Sequence, residues 1–93
     1  MKIGLPKEIK DQEFRVGLTP ASVQTLSQRG HQVVVQEDAG IGAGFTNRDY
    51  AAAGATLVSN PSVAWDQDMV VKVKEPQPSD YDYYRDYHLL FTF

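Results

Sequence analysis

Short apolar, β-branched runs alternate along the chain with intervals that carry helix-start and helix-stop signals. Runs of this length and composition are typical of β-strands. They predict five strands, at residues 2–5, 31–36, 55–58, 69–74 and 88–93.

Capping signals predict a helix in each interval between these strands. Thr19 followed by Pro20 is typical of an N-cap with proline at the first helical position, and Gly30 is suited to end that helix. The spacing of Thr46 and Asp49 suits reciprocal capping of a second helix. Two more helices are predicted from residue 60 to residue 65 and from residue 79 onward.

The alternation of strands and helices predicts the fold class. Strands joined by helices rather than by hairpin loops need crossover connections, which are right-handed and give parallel strands. We therefore expect an open, mostly parallel α/β sheet with helices on both faces. The 93 residues show no internal repeat or interdomain linker. The last run, LLFTF, stops in mid-strand without a polar finish, so we expect it to belong to a longer protein.

Composition and charge exclude several classes of function. A net charge of -3 with scattered basic residues argues against nucleic acid or an anionic membrane surface as a partner. The chain has no cysteine, so it has no disulfide, thiolate metal site or cysteine nucleophile. No segment approaches the roughly 20 apolar residues of a membrane span. These features predict a soluble, cytoplasmic protein without a metal site.

Two charged segments lie where a parallel sheet binds its ligands, at the carboxyl ends of the strands. The loop after the first strand, PKEIKDQEFR, ends in Arg15, and the fourth predicted strand ends at Lys74. Arginine offers a planar fork that suits a carboxylate, whereas lysine is a compact charge that can polarise a carbonyl oxygen. Arg15 and Lys74 are therefore candidates for binding a small oxo acid.

These charges also have a structural interpretation. Arg15 could form a structural ion pair with Glu13 or Glu8. Strand alternation puts Lys72 on the same face as Lys74, but Lys72 lies deeper in the strand and could simply extend along the sheet.

For the other residues that could take part in binding or catalysis, the sequence favours structural roles. The glycine loop GIGAGF indicates a tight turn and not a dinucleotide site, because its third glycine comes one place too early. His31 and His88 stand at strand starts, opposite the expected crevice, and no second ligand accompanies them at metal-binding spacing. Trp65 is expected in the core.

Four segments in combination resemble one enzyme family. They are GLPKEIKDQEFRVGLTP, RGHQVVVQEDAGIGAGF, VVKVKEP and LLFTF. Together they closely resemble the amino-terminal region of alanine dehydrogenases, which share this region with the alpha subunit of proton-translocating nicotinamide nucleotide transhydrogenase. The resemblance covers the whole chain.

The resemblance implies that residues 1–93 form the amino-terminal part of a Rossmann-like substrate domain in a two-domain enzyme. The implied activity is reversible, NAD-dependent oxidative deamination of L-alanine to pyruvate and ammonia. The family's substrate arginine, in the motif Glu-x-Arg-Val, falls on Arg15, and its substrate and catalytic lysine, in Val-Lys-Glu-Pro, falls on Lys74. The NAD-binding domain and a catalytic histidine are expected beyond Phe93, so this piece alone is expected to be inactive. A homo-oligomer, commonly a hexamer, is also implied.

Two other functions remain open. A transhydrogenase alpha subunit would use the same fold for hydride exchange between nucleotides, although those subunits usually carry no lysine at the position of Lys74. A non-catalytic ligand-binding or assembly module is the third possibility. The chain departs from the family's usual pattern at Gln12, where asparagine is usual, and at Gly17, where alanine is usual. Gly17 is expected to loosen the segment that positions Arg15.

Overall fold

The computed structural model describes residues 1–9, 13–74, 77–80, 83 and 89–92. Within them lies a five-stranded sheet in which every pair of neighbouring strands is parallel. The strands are β1 (Lys2–Leu5), β2 (Gln32–Gln36), β3 (Thr56–Val58), β4 (Met69–Lys72) and β5 (Leu89–Thr92). Their order across the sheet is β3-β2-β1-β4-β5. The predicted open, parallel α/β sheet is confirmed.

The helices between the strands begin at the predicted caps. They are α1 (Pro20–Gln28), α2 (Asn47–Ala52) and α3 (Pro61–Trp65). Thr19 Oγ1 accepts a hydrogen bond from the Ser22 amide, and Thr46 and Asp49 form a reciprocal capping box. Asn60 caps α3 through its side-chain oxygen. Each cap satisfies amides that have no partner inside the helix.

The helices cover both faces of the sheet. On one face, α1 and α2 close over a core of buried residues: Ile3, Leu5, Val23, Val33, Val35, Ala39, Tyr50 and Val71. On the other face, α3 packs on β1 at Gly4, where an added Cβ would collide with the carbonyl oxygen of Ala64. Glycine at this position allows the helix and the strand to approach closely.

The fourth strand is shorter than the sequence predicts. It ends at Lys72, which pairs with Thr92 of β5, and not at Lys74. The amides of Val73 and Lys74 donate instead to the carboxylate of Glu8, at 3.1 and 3.3 Å. A side chain from a distant segment thus replaces the strand ladder, and regular alternation does not extend to Lys74.

Most of the residues of the predicted tyrosine-rich helix, together with His88 and Phe93, lie outside the described residues. A 3₁₀ turn spans Pro78–Asp80 and begins one residue before the start predicted for that helix. His31 lies beside the amino terminus, with Nδ1 3.3 Å from the Met1 nitrogen. In the described part of the chain, no helix is long and apolar enough to cross a membrane, and no cluster of three metal-ligating side chains forms.

Candidate functional site

A cavity of about 440 Å³ opens at the carboxyl ends of β1 and β2. Three segments line it, one after β1, one after β2 and one from the glycine loop: Lys7, Glu8, Glu13, Phe14, Arg15, Asp38, Ala39, Ile41 and Gly42. The strand order reverses between β1 and β4, next to this cavity. Open α/β sheets bind their ligands at the carboxyl ends of the strands, close to such a reversal. Arg15 therefore lies at the carboxyl end of the sheet, as the sequence predicts.

Arg15 reaches this cavity paired with Glu13. Its Nη2 lies 2.9 Å from Oε1, and its Nε and backbone amide donate to Oε2 at 3.2 and 3.0 Å. These hydrogen bonds from Arg15 lower the pKa of Glu13 to about 2, and the carboxylate in turn raises the pKa of Arg15. The Arg15 side chain is still 68% exposed, and a guanidinium has further N–H donors to offer. The pairing is thus present, and it leaves donors for a ligand.

Lys74 approaches the same carboxylate from the end of β4. Its Nζ lies 3.9 Å from Glu13 Oε1, the oxygen that Arg15 Nη2 also contacts. This separation is an ion pair and too long for a direct hydrogen bond, so the contact with Glu13 uses none of the ammonium's N–H donors. Lys74 is not part of the cavity wall. Its contact with the cavity is through Glu13, which lines the wall and pairs with the Lys74 ammonium. Two cations from distant parts of the sequence therefore converge on one carboxylate oxygen.

Lys72 lies among buried partners on the α3 side. Its side chain is 1% exposed, with Nζ 3.4 Å from Glu8 Oε1 and 3.7 Å from Asp80 Oδ2. The ammonium also lies 5.9 Å from the centroid of the buried Trp65 ring, within the range of a cation–π contact. The side chains of Lys72 and Lys74 thus contact different carboxylates, and the strand ends between the two residues. The structural interpretation of Lys72 agrees with these contacts.

The glycine loop forms one wall of the cavity as a tight turn. Its amides donate within the loop: Ala43 and Phe45 to the Gly40 carbonyl, and Gly44 to Ile41. Gly44 closes the turn in the left-handed region, at φ 91. Because these amides are already bonded inside the turn, they are not directed at a pyrophosphate, and the turn interpretation agrees with the geometry.

Two residues of this loop, Ile41 and Gly42, line the cavity and were not singled out from the sequence. Gly42 packs against Phe14, where an added Cβ would lie 3.2 Å from the Phe14 Cα. The contact joins segments that are far apart in the chain, and no local pattern predicts it.

Asp38 is a further polar residue of the cavity that the sequence did not single out. It follows β2 with φ 65, a conformation that aspartate tolerates better than most residues. Asn47 holds it there, because its Oδ1 accepts from the Asp38 amide at 2.7 Å and its Nδ2 donates to Asp38 Oδ1 at 3.2 Å. The rule that ligands bind at carboxyl ends of strands, applied to β2, would have found it.

Gly17, which is expected to loosen the segment behind Arg15, lies in a closely packed position. An added Cβ would lie 3.0 Å from Val71 Cγ1 and 3.1 Å from the Val71 carbonyl oxygen. Glycine therefore lets this segment lie close to β4. Gln12 lies outside the described residues.

Comparisons with known proteins extend over the whole chain. The model of the family described as "Alanine dehydrogenase/PNT, N-terminal domain" matches residues 4–93. Alanine dehydrogenase from Staphylococcus haemolyticus is 52% identical over 93 residues, and the enzyme of that name from Bacillus subtilis is 50% identical. Each alignment covers 100% of this chain and 25% of the relative. The chain thus spans about a quarter of the length of these relatives.

Solved structures share the fold. An L-alanine dehydrogenase superposes with a TM-score of 0.98 at 57% identity, covering 100% of this chain and 26% of that one. A transhydrogenase from Sinorhizobium meliloti superposes with a TM-score of 0.91 at 28% identity, covering 99% of this chain and 27% of that one. The similarity is therefore higher to the alanine dehydrogenase. By the family match and these relatives, the chain belongs to the alanine dehydrogenase/PNT N-terminal domain family.

Proposed function

We propose that the full-length protein is an NAD-dependent alanine dehydrogenase, which interconverts L-alanine with pyruvate and ammonia by reversible oxidative deamination. Residues 1–93 are then the amino-terminal part of its substrate domain. The relatives named alanine dehydrogenase, at 50% identity or more over the whole chain, support this assignment. The main structural support for the proposed activity is that Arg15 and Lys74 both contact the same carboxylate oxygen, Glu13 Oε1.

In this proposal Arg15 binds the substrate carboxylate. Pyruvate and alanine both carry that group, and a guanidinium can hold it through two parallel hydrogen bonds. Glu13 occupies Nε and one side of Nη2, so it fixes the plane of the guanidinium and leaves the remaining N–H groups for the substrate. The substrate carboxylate then lies beside Glu13 and not in place of it.

Lys74 takes the second role, at the reacting end of the substrate. Its ammonium can donate a hydrogen bond to the keto oxygen of pyruvate and polarise that carbonyl. A fixed positive charge next to an oxygen that gains negative charge in the transition state is worth about 10²- to 10³-fold in rate in comparable sites. The neighbouring Glu13 offsets part of the repulsion between Lys74 and Arg15.

The described residues of this chain do not fit NAD. The one glycine-rich turn among the described residues donates its amides to its own carbonyls, and Gly42 is packed against Phe14. We therefore assign cofactor binding to a part of the protein outside these 93 residues. The contribution of this chain is confined to binding and polarising the substrate.

A transhydrogenase alpha subunit is the second candidate. The family description and the similarity to the Sinorhizobium meliloti transhydrogenase favour it. In that case the cavity beside Arg15 would not bind an oxo acid. A non-catalytic module is the third candidate, and it would need neither cation.

The proposal includes a cytoplasmic location and a homo-oligomeric state, with a hexamer expected from the resemblance to alanine dehydrogenases. The net charge of -3 and the lack of cysteine agree with this setting.

The test is an assay of the purified full-length protein. We expect NADH oxidation that depends on both pyruvate and ammonium, and no hydride exchange between NADPH and an NAD analogue. Exchange without pyruvate-dependent oxidation would favour the transhydrogenase, and the absence of both reactions would favour the module.

A further inference from the structure

Glu8 forms an ion pair with the buried Lys72 and also accepts hydrogen bonds from the backbone that follows β4. Its carboxylate accepts from the Val73 amide at 3.1 Å through Oε2 and from the Lys74 amide at 3.3 Å through Oε1. Oε1 also lies 3.4 Å from Lys72 Nζ, and the Glu8 side chain is 4% exposed. A single buried carboxylate thus binds three consecutive residues of the chain.

These contacts matter because the ladder between β4 and β5 stops at Lys72 and Thr92. The amides of Val73 and Lys74 need other acceptors, since an unpaired amide in a covered position costs free energy. Glu8 supplies both acceptors at once. The backbone of Lys74 is therefore held by Glu8 and not by the sheet.

Lys72 supplies the countercharge that lets a carboxylate lie in this position. Burial of an isolated carboxylate is costly, and an ammonium within a few ångströms offsets that cost. The Lys72 side chain is 1% exposed and so cannot serve a ligand directly. It stabilises Glu8 in place at the end of the strand.

We propose that Glu8 is a positioning residue, which fixes the backbone of Lys74 so that the Lys74 ammonium stays beside Glu13 and Arg15. The proposal rests on the proposed function, in which Lys74 contacts the substrate. Glu8 also lines the cavity, but both of its carboxylate oxygens accept from the Val73 and Lys74 amides, so in this proposal it acts on the substrate through Lys74. Loss of its carboxylate frees this backbone and displaces the ammonium.

Asp80 offers a matched control. Its Oδ2 lies 3.7 Å from the same Lys72 ammonium, and it accepts from the Gln77 amide at 2.9 Å. Among the described contacts, it makes none with the backbone of Val73 or Lys74. Glu8→Gln and Asp80→Asn each neutralise one buried partner of Lys72, so both are expected to lower Tm. Only Glu8→Gln places an amide NH₂ opposite a backbone N–H at the end of β4.

The experiment compares the two variants in the full-length protein. Hydrogen exchange of the Val73 and Lys74 amides is expected to become faster in Glu8→Gln and to stay as in the wild type in Asp80→Asn. For pyruvate amination, kcat/KM is expected to fall about 10-fold or more in Glu8→Gln, because a displacement of about 1 Å can cost up to ~10²-fold. Asp80→Asn is expected to keep wild-type kinetics, and both variants are expected to keep the wild-type Kd for NADH.

If Glu8→Gln does not fold, Glu8→Asp replaces it, since that variant keeps the charge and shortens the reach by one methylene group. Wild-type protection of the two amides in the Glu8 variant would overturn the proposal, whether or not the protein aminates pyruvate. Faster exchange with wild-type kcat/KM would also overturn it. A wild-type protein that fails to aminate pyruvate contradicts the proposed function instead, and the exchange result still decides whether Glu8 holds Lys74.

Discussion

Arg15 is paired with Glu13 through two side-chain hydrogen bonds, from Nη2 at 2.9 Å and from Nε at 3.2 Å. The pair is local in sequence, yet it lies at the edge of the cavity beside the strand-order reversal. Because Glu13 engages one side of the guanidinium, it fixes the orientation of the N–H donors on the opposite side. Lys74 joins the pair from β4 at 3.9 Å. The site is thus an oriented pair of cations that share one counterion.

The first prediction concerns the shape of the Arg15 side chain. In the full-length protein, Arg15→Lys keeps the charge but removes the fork, so KM for pyruvate is expected to rise about 10-fold, as for the loss of one charge-assisted hydrogen bond. Steady-state kinetics with saturating NADH and ammonium measure the change. Arg48→Lys, on the exposed surface of α2, is the control and should keep the wild-type KM. An unchanged KM in Arg15→Lys would show that the carboxylate is not held by a fork.

The second prediction concerns the pKa of Glu13. Hydrogen bonds from Arg15 lower this pKa from its ordinary 4.5 to about 2. A carboxyl group whose pKa is lower in the folded state stabilises the fold above the ordinary pKa, and this contribution is lost as pH falls toward the lowered value. The difference in Tm between the wild type and Glu13→Gln should therefore shrink as pH is lowered from about 5 toward 2. A difference that stays constant over this range would mean that Glu13 titrates normally.

The third prediction concerns the contact between β1 and α3. At Gly4, an added Cβ would collide with the carbonyl oxygen of Ala64, which is backbone and cannot rotate away. Gly4→Ala is therefore expected to lower the free energy of unfolding by about 1–3 kcal/mol. Gly30→Asn is the matched control, since no atom lies within 4 Å of a Cβ added there and asparagine tolerates the positive φ of 89. Denaturant unfolding of full-length variants measures both. Equal stability of the two variants would contradict the close packing of α3.

The elements of the fold could be predicted because their signals are local. Thr19, Asn60 and the pair Thr46 and Asp49 mark helix starts through hydrogen bonds that span only two or three residues. The end of β4 was predicted wrongly, because the acceptor for the Lys74 amide comes from Glu8, in a segment far away in sequence. Local patterns contain no information on that contact.

For the candidate site, the sequence predicted the two cationic residues but not how they are arranged. Sheet geometry and side-chain chemistry selected Arg15 and Lys74 as candidates, and the resemblance to alanine dehydrogenases gave each of them a role. Neither source predicted that both cations meet at Glu13, although the sequence did allow a pair between Arg15 and Glu13. The cavity wall at Ile41 and Gly42 was missed, because it depends on tertiary packing against Phe14.

The central claim, that Lys74 acts on the substrate beside Arg15, is tested most directly by Lys74→Ala in the full-length protein. We expect pyruvate amination to fall about 10²-fold or more, because the polarising charge is lost, while the Kd for NADH stays at the wild-type value. Lys2→Ala, at the opposite end of the sheet in β1, is the control and should retain wild-type turnover. Wild-type turnover in Lys74→Ala would contradict the account.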